Sequence, residues 1–440
     1  MERITSLVGL FAMIGLAWAM SEDRRAFPTR VVGWGLAWLV GVGLLVLSPT
    51  VQDFFFVYVD AGVRRLLGFS EAGADFTFQT VEPHQIMDGG GNLKFYAGHI
   101  SPPMKSFAFW ILPSIIFFSS LMAVSYHLGI MQAIVRGMAY VMQRTMGTSG
   151  AETLACAANI FLGQTEAPLL VKPFIGTMTR SELMCVMLGG FANTAGGVLA
   201  AYVSFLKDIP GIAGHLVTCS VLSAPATMII SKVMLPEKEQ PKTSGTLEIP
   251  DQRIDRNVME AAARGANEGM SLAINVAAML IAFVALMAMI DWCLGLAPIS
   301  ICDGSPRFGM ALPDGCQPVS LPYLLGLGFT PLAFLMGVPW AEASRVGVLL
   351  GEKLVLTEFI AYVHLGQIQA SAAPLTERSA LIASYALCGF ANFASVGIQL
   401  GGIGGMAPDR MGELASLALK AMIGGSLATF MCACVAGLLV

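Results

Sequence analysis

The tetrapeptide GFAN is written twice in this chain, at Gly190–Asn193 inside MLGGFANTAGGVLAAYV and at Gly389–Asn392 inside YALCGFANFASVGIQLGG. Each copy interrupts a run otherwise apolar enough for lipid with a small, kinkable segment that ends in an amide side chain. The surroundings repeat as well. Thr165-Glu166, Arg180-Ser181 and the first GFAN follow one another in the order in which Thr357-Glu358, Arg378-Ser379 and the second GFAN do. A Gly/Ala-rich chain can repeat one tetrapeptide by chance, but three ordered coincidences indicate an internal repeat.

Composition sets the solvent. Charged residues make up 12% of the chain, against about 25% in an ordinary soluble domain, while 55% are hydrophobic and the mean hydropathy is +0.71. That much apolar surface needs a bilayer. A net charge of −4 with 25 Lys and Arg spread along the chain leaves no basic stripe for nucleic acid. The cysteines form no CxxC pair or zinc spacing, so Cys156, Cys185, Cys219, Cys388, Cys432 and Cys434, in apolar runs, read as reduced packing residues. Cys302 and Cys316 bracket a polar loop and could pair if it faces an oxidising compartment.

A spanning helix takes about 20 apolar residues, which predicts about eight spans, near 3–20, 31–48, 106–126, 182–206, 212–234, 269–291, 379–400 and 413–440. The fold class is therefore an all-α polytopic membrane protein. Residues 127–147 and 254–266 have the periodicity of helices lying at the interface, and 70–100 reads as an exposed loop. Arg24, Arg25, Arg30, Arg136, Arg144 and the basic linker 235–257 are placed in the cytoplasm by the positive-inside rule, which puts both termini outside.

Two stretches are too short to cross and too apolar to leave the membrane. In 151–178, LACAANIFL meets the polar tip GQTEAP; in 341–371, VGVLLGEKLVL meets TEF. Two short arms joined at a polar tip make a re-entrant hairpin. With the spans counted as above, one hairpin enters from each side, so the repeat is inverted, and broken helices meeting at such an interface mark the binding site of a transporter.

Glu166 and Glu358 lie in these hairpins, and a charge at that depth costs at least about 2.5–3.5 kcal/mol, which points to function unless Lys172 or Lys353 pairs with them. Gln164, Thr165, Thr357 and Ser395 add neutral donors and acceptors, and Phe359 and Phe390 add flat apolar faces. Carboxylate, amide and aromatic wall together suit a sugar joined to a planar base. Gly190 and Gly389 would permit local unwinding, while Asn275 reads as an interhelical hydrogen bonder.

GQTEAPLLVKPF, GGVLAAYV, FAFWILPSIIFFSSLMAVSYHLGIMQ, GMSLAINVAAMLIAFVALMAMI and SYALCGFANFASVGIQLGG resemble the signature stretches of concentrative nucleoside transporters, from about Lys105 to the C-terminus. The resemblance implies a homotrimeric secondary transporter of the bacterial inner membrane, with eight spans, two re-entrant hairpins and interfacial helices. It implies import of nucleosides with Na+ or H+, no other cofactor and no enzymatic step. Transport-domain segments would be 148–206 and 341–404; 1–104, 105–147 and 207–340 would be mainly scaffold, and 405–440 the last helix. Carried over by motif, Gln164, Thr165 and Glu166 would face the nucleobase side, and Glu358, Phe390, Asn392 and Ser395 would hold ribose and base. The sodium site would draw on Asn159, Leu162, Asn193 and Thr194. Thr357 stands where the family usually has Asn, and Asn193-Thr194 departs from many members at the first break, so base preference and coupling ion stay open. An ion channel, an intramembrane enzyme and a nucleobase or other small-solute carrier are the rivals.

Overall fold

The computed structural model describes residues 2–47, 49–78, 81–87, 93–100, 107–243, 255–296, 299–302, 305–308, 317–318 and 320–440. The chain is overwhelmingly helical. Two helices, α1 (Glu2–Ala19) and α2 (Thr29–Leu47), are followed by α3 (Pro49–Phe78) and an antiparallel ribbon of β1 (Val81–Met87) and β2 (Leu93–Ile100). The exposed loop expected at 70–100 is thus partly the end of α3 and partly paired strands. Next come α4 (Leu112–His127) and α5 (Ile130–Met146), bent by 74° at their break, where Gly129 adopts a φ of +81°.

The first hairpin consists of α6 (Gly150–Asn159), a 3-10 turn at Ala167–Val171 and α7 (Lys172–Ile175), with the tip between. Then follow α8 (Arg180–Ala192) and α9 (Gly196–Phe205), which are the two halves of the first broken span, and α10 (Ile212–Met234). The long α11 (Val258–Gly295) is a single helix of 38 residues. It absorbs 258–266, which the sequence suggested as a separate interfacial helix, because nothing between Val258 and Asn275 breaks the ladder. A small sheet of β3 (Ile299–Cys302), β4 (Ser305–Phe308) and β5 (Gln317–Pro318) precedes α12 (Leu321–Leu335), an apolar helix not foreseen. Cys316, and with it the proposed bridge to Cys302, lies outside the described residues.

The second hairpin is α13 (Trp340–Val355) and α14 (Glu358–Gln369), joined at Leu356-Thr357. The second broken span is α15 (Glu377–Leu387) and α16 (Phe393–Met406), and α17 (Met411–Leu439) closes the chain. Five described helical stretches are long and apolar enough to cross a membrane: Glu2–Ala19, Thr29–Val46, Arg180–Phe205, Ile212–Met234 and Pro408–Leu439.

The core sits around α10 and α17, which pack on each other and on α8 and α15. Helices in lipid lack a hydrophobic drive toward one another, so close backbone approach through small residues holds them. Gly265 and Gly269 form one such stripe on α11. A Cβ at Gly265 would come within 2.7 Å of Ser119 O, and one at Gly269 within 2.7 Å of Ile116 Cα, both on α4. Ser120 Oγ adds a bond to Ala262 O at 2.9 Å across the same seam. Gly269→Leu is expected to separate these helices and lower the thermal midpoint of the purified protein by several degrees; an unchanged midpoint would show that the seam can open at no cost.

Threonines just ahead of the repeated Arg-Ser pairs, Thr179 and Thr376, start helices. Thr179 caps α8 by accepting from Glu182 N at 3.1 Å, with Thr179 N donating back to Glu182 Oε2 at 2.8 Å, and Thr376 caps α15 by accepting from Ser379 N at 3.3 Å. Ser149 and Glu152 form a second capping box at α6. Ser149 Oγ also donates to Glu182 Oε1 at 2.5 Å, and the buried Lys232 of α10 lies 2.6 Å from Glu152, so hairpin, broken span and α10 are bound together at this end.

Candidate functional site: a polar cavity at the crossing of two helix breaks

The two GFAN segments touch. Phe390 N–H donates to Asn193 O at 3.3 Å, and Gly389, at a φ of +127°, lies so close that a Cβ would meet Phe191 O at 2.8 Å and Ala192 O at 2.9 Å. The two glycines do different work. Gly389 sits at its break in a conformation that favours glycine, as the sequence suggested. Gly190 stays inside α8, and the break follows two residues later; its missing side chain leaves room for Gln399 Nε2, 2.5 Å from where a Cβ would stand.

Against this crossing lies a cavity of 650 Å³, a volume in the range of small-molecule sites. Gln164, Thr165, Glu166, Glu358, Phe390, Asn392 and Ser395 all line it, with Thr357 and Phe359. Glu358 is 4% exposed, at the first turn of α14, where backbone N–H groups favour a carboxylate. Its Oε1 accepts from Tyr202 O–H at 2.9 Å and its Oε2 from Asn392 Nδ2 at 2.9 Å. Asn392 does two jobs, since its Oδ1 caps α16 by accepting from Ser395 N at 2.8 Å. Gln164 Nε2 donates to Ser395 Oγ at 3.3 Å, so the first hairpin's tip is tied to the second broken span. Glu166 Oε2 accepts from Gly163 N at 3.1 Å. Lys172 is exposed, and Lys353 donates instead to Ala386 O and Thr429 Oγ1, so Lys353 makes no direct bond to these carboxylates and acts on Glu358 only through space.

Several contributors escaped the sequence reading. Gln399, fully buried, donates to Gln164 Oε1 at 3.3 Å and to Met187 O at 3.0 Å. Tyr202 reaches Glu358 from α9 and stacks on Tyr362 with ring centroids 4.3 Å apart. The far wall comes from α11, through Asn267, Glu268, Ser271 and Asn275. Their signal was available: Glu268, Ser271 and Asn275 recur at i, i+3 and i+7 on one face of an apolar helix. Asn275 is exposed to the cavity, contrary to the interhelical role expected of it.

Asn159, Leu162, Asn193 and Thr194 lie beside this cavity and do not line it. Asn159 is fully buried, and both its side-chain Oδ1 and Nδ2 lack a hydrogen-bond partner. Asn193 Nδ2 donates to Gly189 O at 3.2 Å, and its Oδ1 accepts a short hydrogen bond from Ser223 Oγ. Gly196 N–H donates to Phe161 O at 3.0 Å, which brings the hairpin turn holding Leu162 against the first break, while Thr194 Oγ1 turns toward Cys388 Sγ at 3.7 Å. An unpaired buried amide oxygen beside an opened helix suits a hard cation, which takes oxygen ligands.

A hydrogen-bonding cavity formed where two broken helices cross, in an apolar and mainly helical bundle, is the arrangement of a membrane carrier. The sequence matches three family descriptions along its length: Na+ dependent nucleoside transporter N-terminus over residues 8–81, Nucleoside recognition over 108–208, and Na+ dependent nucleoside transporter C-terminus over 215–437. The chain belongs to the Na+-dependent nucleoside transporter family. An uncharacterized transporter of Haemophilus influenzae is 40% identical over 447 residues, covering 100% of this chain and 98% of that one. Sodium/nucleoside cotransporter 1 of Mus musculus is 36% identical over 451 residues, and there the whole chain corresponds to 64% of the longer relative. The structure of CNTnw in an inward-facing substrate-bound state is similar with a TM-score of 0.83 and 37% identity, covering 99% of this chain and 98% of that one. A CNTnw variant in an outward-facing state is similar at 0.84 and 36%, covering 100% and 98%. The family is one of cotransporters and not of enzymes, and its members work by alternating access between such states.

Proposed function

We propose that the protein imports nucleosides across the bacterial inner membrane in symport with Na+, as a homotrimer of about eight spans per subunit with both termini outside. The observation that carries this reading is the pair of bonds held by Glu358, to Tyr202 and Asn392, at the edge of the cavity. Each carboxylate oxygen keeps a lone pair for a ribose hydroxyl. Gln164, Thr165 and Glu166 then face the base, with Phe390 as its wall and Ser395 bridging the two sides. Thr357, whose hydroxyl has no partner, borders the same space and tunes which base fits.

Na+ is favoured over H+ because the Asn159 side chain, whose Oδ1 has no partner, lies against the Gly189 turn of α8, just before Asn193. The ion and the nucleoside stabilise one closed arrangement of the hairpins. That unit then moves across the membrane as an elevator against a scaffold that includes α4 and α11, with the polar face of α11 opposite the substrate.

Uptake of radiolabelled uridine and adenosine into proteoliposomes, with a Na+ gradient or a proton gradient imposed separately, tests both levels. Accumulation is expected under Na+ alone. Accumulation only under the proton gradient would move the coupling role to Glu166 or Glu358, and no uptake of either nucleoside would overturn the substrate assignment.

A further inference from the structure

Opposite the first helix break, α10 carries five buried hydroxyls, on Thr218, Ser220, Ser223, Thr227 and Ser231, whose behaviour differs. Thr218 and Ser220 bond back to the carbonyls four residues earlier, at 2.7 and 3.2 Å, and Ser231 bonds to Met228 O at 3.2 Å. Thr227, fully buried on the same helix, does none of this: its Oγ1 has no hydrogen-bond partner. A helical threonine commonly satisfies itself on its own backbone, and a buried polar atom without a partner costs about 1–3 kcal/mol. The orphan is also in company. A methyl-sized group on Gly189 would come 3.1 Å from Asn159 Nδ2 and 3.6 Å from Thr227 Cγ2, so both unsatisfied side chains lie against one bare turn of α8. Asn193, which caps the C-terminal end of α8, donates to the Gly189 carbonyl and accepts from Ser223 of α10. Between Ser223 and Thr227 stands Pro225, which has no N–H and leaves the Val221 carbonyl without its ladder donor.

We infer that α10 is part of the cation site: Thr227 supplies a hydroxyl oxygen to the ion beside Asn159, and Ser223 is a positioning residue that aims the Asn193 amide. This rests on the sodium-site reading given above. Three unsatisfied polar atoms, Asn159 Oδ1, Asn159 Nδ2 and Thr227 Oγ1, then share one explanation, since an oxygen-seeking ion takes the two oxygens and the loosened turn lets the amide nitrogen swing toward a carbonyl. The sequence shows why the helix was overlooked: Ser223 and Thr227, at i and i+4, resemble any small polar pair in a membrane helix.

The test titrates NaCl against choline chloride at constant ionic strength and follows the thermal midpoint of the detergent-purified full chain without nucleoside. Thr227→Val is expected to raise the Na+ concentration at half-effect by about tenfold, the lower end of what losing a partner at a metal site costs. Thr227→Ser is expected to restore the native value. Ser223→Ala should shift the same half-effect, while Ser220→Ala, whose hydroxyl bonds only within its helix, should not. If the valine variant does not fold, Thr227→Ala against Thr227→Ser makes the same comparison. An unchanged Na+ response in the variant lacking the hydroxyl, with Asn159→Ala losing its response, would overturn the part given to α10 and leave the sodium site standing. An unchanged response in both would overturn the two together.

Discussion

Glu358→Gln is expected to raise the nucleoside concentration for half-maximal uptake by about 10- to 100-fold, the equivalent of one charge-assisted hydrogen bond of about 1.5–3 kcal/mol. The native carboxylate accepts from Tyr202 on one oxygen and from Asn392 on the other, and ionised oxygens on both sides can still accept from substrate. A glutamine has one acceptor and one donor at these places. Turned toward Asn392, its NH2 meets the donating Nδ2; turned toward Tyr202, it can donate to the phenol oxygen once that hydroxyl rotates away. Either way the cavity loses an acceptor where a ribose hydroxyl is proposed. The fold should survive, because the substitution keeps shape and removes a charge from an apolar hairpin. Thermal midpoint and uptake measured on the same preparation separate the two effects. Native uptake by a correctly inserted variant would sink the ribose assignment.

Gly389→Ala is expected to abolish the folded transporter, whereas Gly190→Ala should leave it folded and weaken nucleoside binding. At Gly389 the backbone has a φ of +127°, and a Cβ would press on two carbonyl oxygens, Phe191 O at 2.8 Å and Ala192 O at 2.9 Å. Backbone strain of about 1–3 kcal/mol adds to a collision that no rotamer can relieve. At Gly190 the atom met first is Gln399 Nε2, at 2.5 Å, the far end of a flexible side chain. Moving it breaks its bond to Gln164 Oε1, on the cavity wall. Size-exclusion profiles with thermal midpoints check the first variant, and substrate titration checks the second. A folded, active Gly389→Ala protein would show that the two breaks do not cross as closely as described.

How much of this could be seen in the sequence depended on what each residue had to satisfy. The breaks, the hairpin tips and the cavity residues were legible because polar groups inside long apolar runs stand out. All seven proposed substrate residues line one cavity. The α11 wall was harder, since Glu268 fell in the gap between an interfacial helix expected at 254–266 and a span expected at 269–291 that holds Ser271, and the continuity of Val258–Gly295 puts them on one face. Tyr202 and Gln399 were invisible for another reason: each looks like packing within its own helix and acquires a role only through a partner 156 or 235 residues away. The helix α12 was passed over beside a polar loop, although Gly347 and Gly351 of α13 fit so closely against it that a Cβ at Gly347 would come 2.6 Å from Gly326 O.

The bond from Phe390 N–H to Asn193 O joins the proposed ribose-side break to the proposed cation-side break with one pair of backbone atoms. In thermodynamic terms, such a shared joint makes the two ligands conjugate to each other. Whatever factor Na+ lends to nucleoside affinity, the nucleoside must return to Na+ affinity. Two binding isotherms measured in opposite orders must therefore close on a single number, and that number measures how firmly the proposed symport ties the occupancy of one site to that of the other.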